Sequence, residues 1–124
     1  MNGRYGTSAD VLIHGRAIEM VLDAADSSMS DDVRVGVYLG GRISSDDSGG
    51  FYEVTGLLPS AEGAVGMAVA SADEVIEPSD GDVSSFRQAV GEGVLIIVDP
   101  YAGQFTINVV DDGGVRRANA VILE

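Results

Sequence analysis

The chain has 124 residues, with 20 acidic side chains, seven basic ones and no cysteine, for a formal net charge of −13 at neutral pH. That balance excludes partners with phosphate backbones or anionic lipid surfaces, which need a basic face, and it excludes disulfide frameworks and cysteine-based zinc sites. With 45% apolar residues and a positive mean hydropathy, the charge belongs on the skin of one folded domain spanning 1–124, not on a disordered acidic tail.

Residues 11–13 (VLI) read as a first short strand. From His14 to Asp26 the apolar residues Ile18, Val21, Leu22 and Ala25 fall at i, i+3, i+4 and i+7. This predicts an amphipathic helix with Arg16, Glu19, Asp23 and Asp26 left for water. Two strand-like segments follow, VRVGVYLGGRI (33–43) and FYEVTGLL (51–58), joined by the polar loop SSDDSGG. Val33, Val35, Val37 and Leu39 alternate, so an antiparallel hairpin is expected, and Pro59 ends its second strand. AVGMAVA (64–70) predicts another short strand.

Helical spacing returns in VSSFRQAV (83–90), with Val83, Phe86 and Val90 on one face. Ser79 and Asp82 stand before it in the S-x-x-D relation of a capping box, and GEG closes it. VLIIV (94–98) is β-branched and apolar on both faces, the pattern of a central buried strand. FTINVV (105–110) and VRRANAVIL (115–123) flank DDGG and predict a second hairpin. The order β-α-β-β-β-α-β-β-β specifies an α/β (α+β) domain, with one mixed, mostly antiparallel sheet flanked by helices.

These segments together resemble the MPN domain (Mov34/PAD-1 type), whose active members are the JAMM zinc isopeptidases. VGVYLGG looks like the family's apolar strand with its Gly-x-hydrophobic-Leu-Gly pattern. EVTGLLP looks like the strand that follows, and VLIIVDPYAGQFTINVV like the long hydrophobic strand ending in Asp-Pro. The resemblance is clearest over residues 8–112. In active members a His-x-His-Pro precedes a serine by eight residues and an aspartate by eleven. Aligned on Ser79 and Asp82 in GMAVASADEVIEPSDGD (66–82), the histidine positions fall on Val69 and Ser71 and the proline on Ala72. The family's catalytic glutamate falls on Val33.

The resemblance implies that two imidazoles and a carboxylate hold zinc, a glutamate takes the proton of its water, and a serine steadies the oxyanion. Here Ser79 and Asp82 match, while Val33, Val69 and Ser71 do not. Those five are vestigial site positions, and the implied protein has no metal, no cofactor and no catalytic residue. It is a pseudoenzyme, a binding or scaffold module whose partner is a ubiquitin-like modifier or a catalytic MPN protein. The alternatives are a hydrolase with a rebuilt carboxylate site using Asp32 and Asp73, and a self-associating domain, for instance a homodimer, of unrelated role.

Other candidates have plainer readings. His14 is the one histidine, at the mouth of the first helix, where a structural or locally pH-sensitive role is expected. Asp31-Asp32, Asp46-Asp47, Asp73-Glu74 and Asp111-Asp112 read as solvated turns without EF-hand spacing. All seven basic residues are arginine, and lysine is absent. Even acidity with arginine as the only cation resembles the proteins of salt-accumulating archaea, because molar salt shortens the Debye length to about 3 Å and mutes self-repulsion. Apolar runs reach only five or six residues, against the ~20 of a membrane span, and MNGRYGTSADV lacks the apolar core of a signal peptide. A cytoplasmic protein is expected.

Overall fold

A computed structural model describes residues 10–28, 36–46, 49–70, 77–99 and 102–123. The chain runs β1 (Val11–His14), α1 (Gly15–Ser28), β2 (Gly36–Asp46), β3 (Gly49–Leu58), β4 (Gly66–Ala70) and α2 (Asp80–Ala89). It continues through β5 (Gly93–Asp99), β6 (Gln104–Asp111), β7 (Gly114–Arg117) and β8 (Ala120–Leu123). Eight strands form one sheet in the order β7-β6-β5-β4-β2-β3-β1-β8. Three of its pairings are parallel (β1–β3, β1–β8, β4–β5) and four antiparallel, so the sheet is thoroughly mixed.

Alternation along the central strands sends side chains to two cores. Val94, Ile96 and Val98 of β5 join Ala68 and Ala70 of β4, Ile107 and Val109 of β6, and Ala17 and Val21 of α1. The helical stripe expected for the first helix is the buried one, with Ile18 and Leu22 packed at its margin, while Arg16, Glu19 and Asp23 are exposed. On the opposite face, Met67, Val69, Leu95, Ile97 and Val110 surround Phe86 of α2. Phe86 is fully buried, and withdrawing such a ring from water contributes about 1.5–3 kcal/mol to seating the ten-residue helix on the sheet, with Val83, Ala89 and Val90 packed beside it. β5 is buried from end to end, as its unbroken apolar sequence requires.

Two expectations need correction. The loop between β2 and β3 is shorter than SSDDSGG: the ladder runs from Tyr38↔Leu58 to Asp46↔Gly49, with a register shift at Gly40/Gly41. Backbone pairing continues through polar serines and glycines because ladder hydrogen bonds need no apolar side chain. The segment 115–123 is also not one strand. It breaks at Ala118 and Asn119, and its halves pair at opposite ends of the sheet, β7 antiparallel to β6 and β8 parallel to β1. Only those two residues separate the two ends, so the sheet curls until they meet. The strand count therefore exceeds the expected one, although the DDGG hairpin between β6 and β7 is present as read.

Among the described residues no helix is long and apolar enough to cross a membrane. Val33 and Val35 of the expected alternation lie outside the described residues; Val37 and Leu39 share one face, as alternation requires, and it is the face that packs with α1.

Candidate functional site

The α2 N-terminus is built by a reciprocal cap. Ser79 has extended backbone (φ −87°, ψ 167°), its Oγ accepts the Asp82 backbone N–H at 3.1 Å, and Asp82 Oδ2 accepts the Ser79 N–H at 3.0 Å. This is the capping box that S-x-x-D predicts, with Asp80 and Asp82 in the first turn and Arg87 in the last, each matched to the helix dipole. At the far end Gly91, with φ 97°, donates its N–H to the Phe86 carbonyl and stops the helix.

The cap holds Asp82 over the sheet. β4 pairs with β2 on one side and β5 on the other, setting Tyr38, Met67 and Leu95 abreast and, two residues along, Gly36, Val69 and Ile97. Tyr38, Met67 and Val69 form the floor of an open cleft of about 480 Å³. Its wall is the α2 face bearing Gly81, Asp82, Ser85 and Ala89, with Ser79 at the lip. Asp82 is buried, and Ser79 and Ser85 are exposed.

Three of the five positions singled out from the sequence, Val69, Ser79 and Asp82, therefore meet in one cleft. Val33 and Ser71 lie outside the described residues, as do Ala72, Asp32 and Asp73. Tyr38, Met67, Gly81, Ser85 and Ala89 were missed by the sequence reading. A signal for the wall was present, since Asp82, Ser85 and Ala89 are spaced three and four apart on one helix face. For the floor, Met67 shares the face of Val69 by strand alternation, whereas Tyr38 reaches it only through cross-strand register.

The donor chemistry of this cleft does not fit the zinc ion of a JAMM centre. Among the described residues it presents one carboxylate, one phenol and two hydroxyls, and Val69 offers an isopropyl group and no donor. The single histidine is in β1, where His14 Nε2 lies 2.9 Å from Glu53 Oε2. Among the described residues no three histidine, cysteine, aspartate or glutamate side chains converge.

His14 instead belongs to a surface cluster. Glu53 binds His14 through Oε2 and accepts the Arg42 Nε–H through Oε1 at 3.0 Å. Those two contacts, the histidine's first, hold the Glu53 carboxyl below its usual range. The cluster ties the end of β1 to β2 and β3, in keeping with the structural role expected for His14. Of the acidic pairs, Asp111 ends β6 and its Oδ1 accepts the Gly113 N–H at 2.9 Å, a turn contact as expected.

No family model and no curated protein matches the sequence. Solved structures do. A protein from Desulfitobacterium hafniense, determined in solution, superposes with a TM-score of 0.66 at 15% identity, over 92% of this chain and 93% of that one. A JAB1/MPN domain protein from Archaeoglobus fulgidus gives a TM-score of 0.60 at 17% identity, covering 90% of this chain and 98% of its own. A structure described as JAMM, a metalloprotease-like zinc site in the proteasome and signalosome, gives 0.60 at 15% identity, covering 90% and 97%. At these identities the likeness establishes the fold, which is that of JAB1/MPN/JAMM domains.

Proposed function

We propose that this chain, built on the fold of JAB1/MPN/JAMM domains, is a non-catalytic member of that group that binds another protein through the cleft between α2 and the sheet. The observation that carries the reading is the meeting of Val69, Ser79 and Asp82 in one cleft, with an apolar side chain at a position where the zinc isopeptidases place an imidazole. Among the described residues that line the cleft Asp82 is the one carboxylate, it is engaged in a helix cap, and a single carboxylate does not hold a divalent metal against water. Without the metal and without a glutamate at position 33, the isopeptide carbonyl would be neither polarised nor attacked. What persists is a concave, mixed apolar and polar surface of the kind that orients a partner segment.

By analogy with the fold's zinc-bearing members, the partner is a ubiquitin-like modifier or a catalytic MPN protein. The chain has no lysine and so cannot itself be an isopeptide acceptor through a lysine side chain.

The test is metal loading and turnover in about 2 M KCl, where the acidic surface is screened. Wild-type protein dialysed after exposure to zinc should retain none and should leave a lysine-isopeptide conjugate intact. The double variant Val69→His/Ser71→His should acquire a cobalt(II) absorption band, with Asp82 as the third ligand, whereas Val69→His alone should not. Retained zinc with metal-dependent cleavage by the wild type overturns the proposal and favours the rebuilt-site hydrolase.

A further inference from the structure

The end of the chain meets the sheet from two directions. Ala118 donates its N–H to the Ile107 carbonyl of β6 at 2.9 Å, whereas the Asn119 carbonyl accepts the Asp10 N–H at 2.8 Å, on the β1 side. Successive residues of a strand direct their backbone groups to opposite sides. Val121 and Leu123 therefore face β1 together with Asn119, and Ala120 and Ile122 send their N–H and C=O groups the other way. Among the described residues no strand lies there, because β8 is the outer strand of the sheet.

The side chains single out the same edge. Val121 is 43% exposed and Ile122 48% exposed, and alternation puts them on opposite faces, so each face of β8 leaves a branched apolar group half in water. Edge strands are usually guarded by charge or proline. The other edge, β7, carries Arg116 and Arg117, but β8 (AVIL) has neither charge nor proline. The polar groups bordering β8 already hold partners: Arg116 has Asp10, Arg117 has Glu77, and His14, opposite Leu123, has Glu53. Two copies of a chain carrying −13 repel each other over most of their surface, and this neutral edge is where repulsion is least.

The edge is also complementary to itself. In an antiparallel pair with a two-fold axis at Val121, the N–H and C=O of Ala120 meet the C=O and N–H of Ile122 in the second copy, and symmetry repeats the exchange. On one face each Ile122 then covers the small Ala120 of the other copy. On the other face the two Val121 side chains stand opposite in a non-hydrogen-bonded pair, with Cα atoms about 4.5 Å apart. Pairing β8 with β7 of another copy would instead set an uncharged strand against two arginines and leave an open chain of subunits.

We propose that the chain dimerises through its β8 edge, the two strands pairing antiparallel about Val121. The cleft at α2 shares no residue with this edge, so the dimer and the reading of the cleft stand or fall separately. The contact is short, below the ~1,000 Å² of a stable complex, so association depends on concentration and strengthens as salt screens the acidic surface.

Sedimentation equilibrium in about 2 M KCl, from about 10 µM to about 1 mM protein, should show the mass rising from 12.8 kDa toward twice that value and no further. In about 0.1 M KCl the dimer should be weaker. Ala120→Pro removes an N–H that faces away from β1, and Ile122→Glu places a charge at a half-exposed position. Each should weaken association at least about tenfold while leaving the circular dichroism unchanged. Ile43→Glu, at an exposed residue of β2, should leave association unaltered. Because the chain has no cysteine, Val121→Cys introduces a lone thiol, which under mild oxidation should form a disulfide-linked dimer far faster than Ile43→Cys. A monomer throughout the range, association unchanged in both edge variants, a mass growing beyond the dimer, or equal cross-linking at positions 121 and 43 overturns the proposal.

Discussion

Asp10 and Arg116, 106 positions apart in the chain, are joined by two hydrogen bonds, Nη1 to Oδ2 at 2.7 Å and Nη2 to Oδ1 at 3.1 Å. Asp10 Oδ2 also accepts the Asn119 N–H at 2.9 Å, while the Asp10 N–H is donated to the Asn119 carbonyl at 2.8 Å. The fork thus sits at the corner where β7 gives way to β8 and the two ends of the curled sheet meet.

Asp10→Asn should destabilise the protein by about 1 kcal/mol, since it replaces a charged fork at a largely solvated corner. The midpoint of chemical denaturation at neutral pH measures this. The Asp10 carboxyl is held below its usual range, chiefly by the hydrogen bond from Arg116. A carboxyl lowered in the folded state contributes stability that is complete above the unfolded pKa of about 4 and is lost as pH falls through the folded value. The penalty of the variant should therefore shrink below about pH 4, and an unchanged difference between pH 7 and pH 3 would remove the charge from the explanation.

Ser79→Ala deletes the oxygen that accepts the Asp82 N–H and should cost about 1 kcal/mol, within the 0.5–2 kcal/mol usual for a lost N-cap. Ser79→Asp should restore most of it, read from the same denaturation midpoints. A loss in both variants would point away from capping.

Gly93→Ala should be far more damaging than its size suggests. Gly93 opens β5 with φ 144°, and a Cβ there would lie 2.2 Å from the Val65 carbonyl oxygen. Backbone on the neighbouring segment cannot yield as a side-chain tip can, so a loss of about 3 kcal/mol or more is expected, or failure to fold. Soluble expression and thermal midpoint decide it.

Raising KCl from about 0.1 M to about 2 M should stabilise the protein, because the Debye length contracts from about 10 Å to below 3 Å while the −13 charge is unchanged. The thermal midpoint should climb across that range. A midpoint that stays level or falls would mean that the acidic surface is not adapted to a salt-rich setting.

Much of the molecule could be read along the chain because the relevant interactions are short-range. The stripe of Ile18, Val21 and Leu22, the box of Ser79 and Asp82, the unbroken apolar β5 and the stop at Pro59 each express a preference encoded within a few residues. The wall of the cleft shares this property. Its floor does not: Tyr38 reaches Met67 only because β2 pairs with β4 in one particular register. Ladder hydrogen bonds are nearly blind to side-chain identity, and for the same reason the hairpin ran past its expected loop.

The composition and the spacing of residues 66–82 by themselves determined that the chain is acidic, without cysteine or lysine, and that a capped helix follows a short apolar strand. Whether Val69 and Asp82 face each other was decided only in three dimensions, when Phe86 anchored α2 on the sheet face that carries Val69. The split of 115–123 between both ends of the sheet was likewise a tertiary outcome. Closing the curl lets each half of that segment satisfy its backbone against a different strand, β6 or β1, and no local pattern specifies such a choice. The opening charge count is unchanged by all of this; among the described residues that line the cleft, the charged side chain is the buried Asp82.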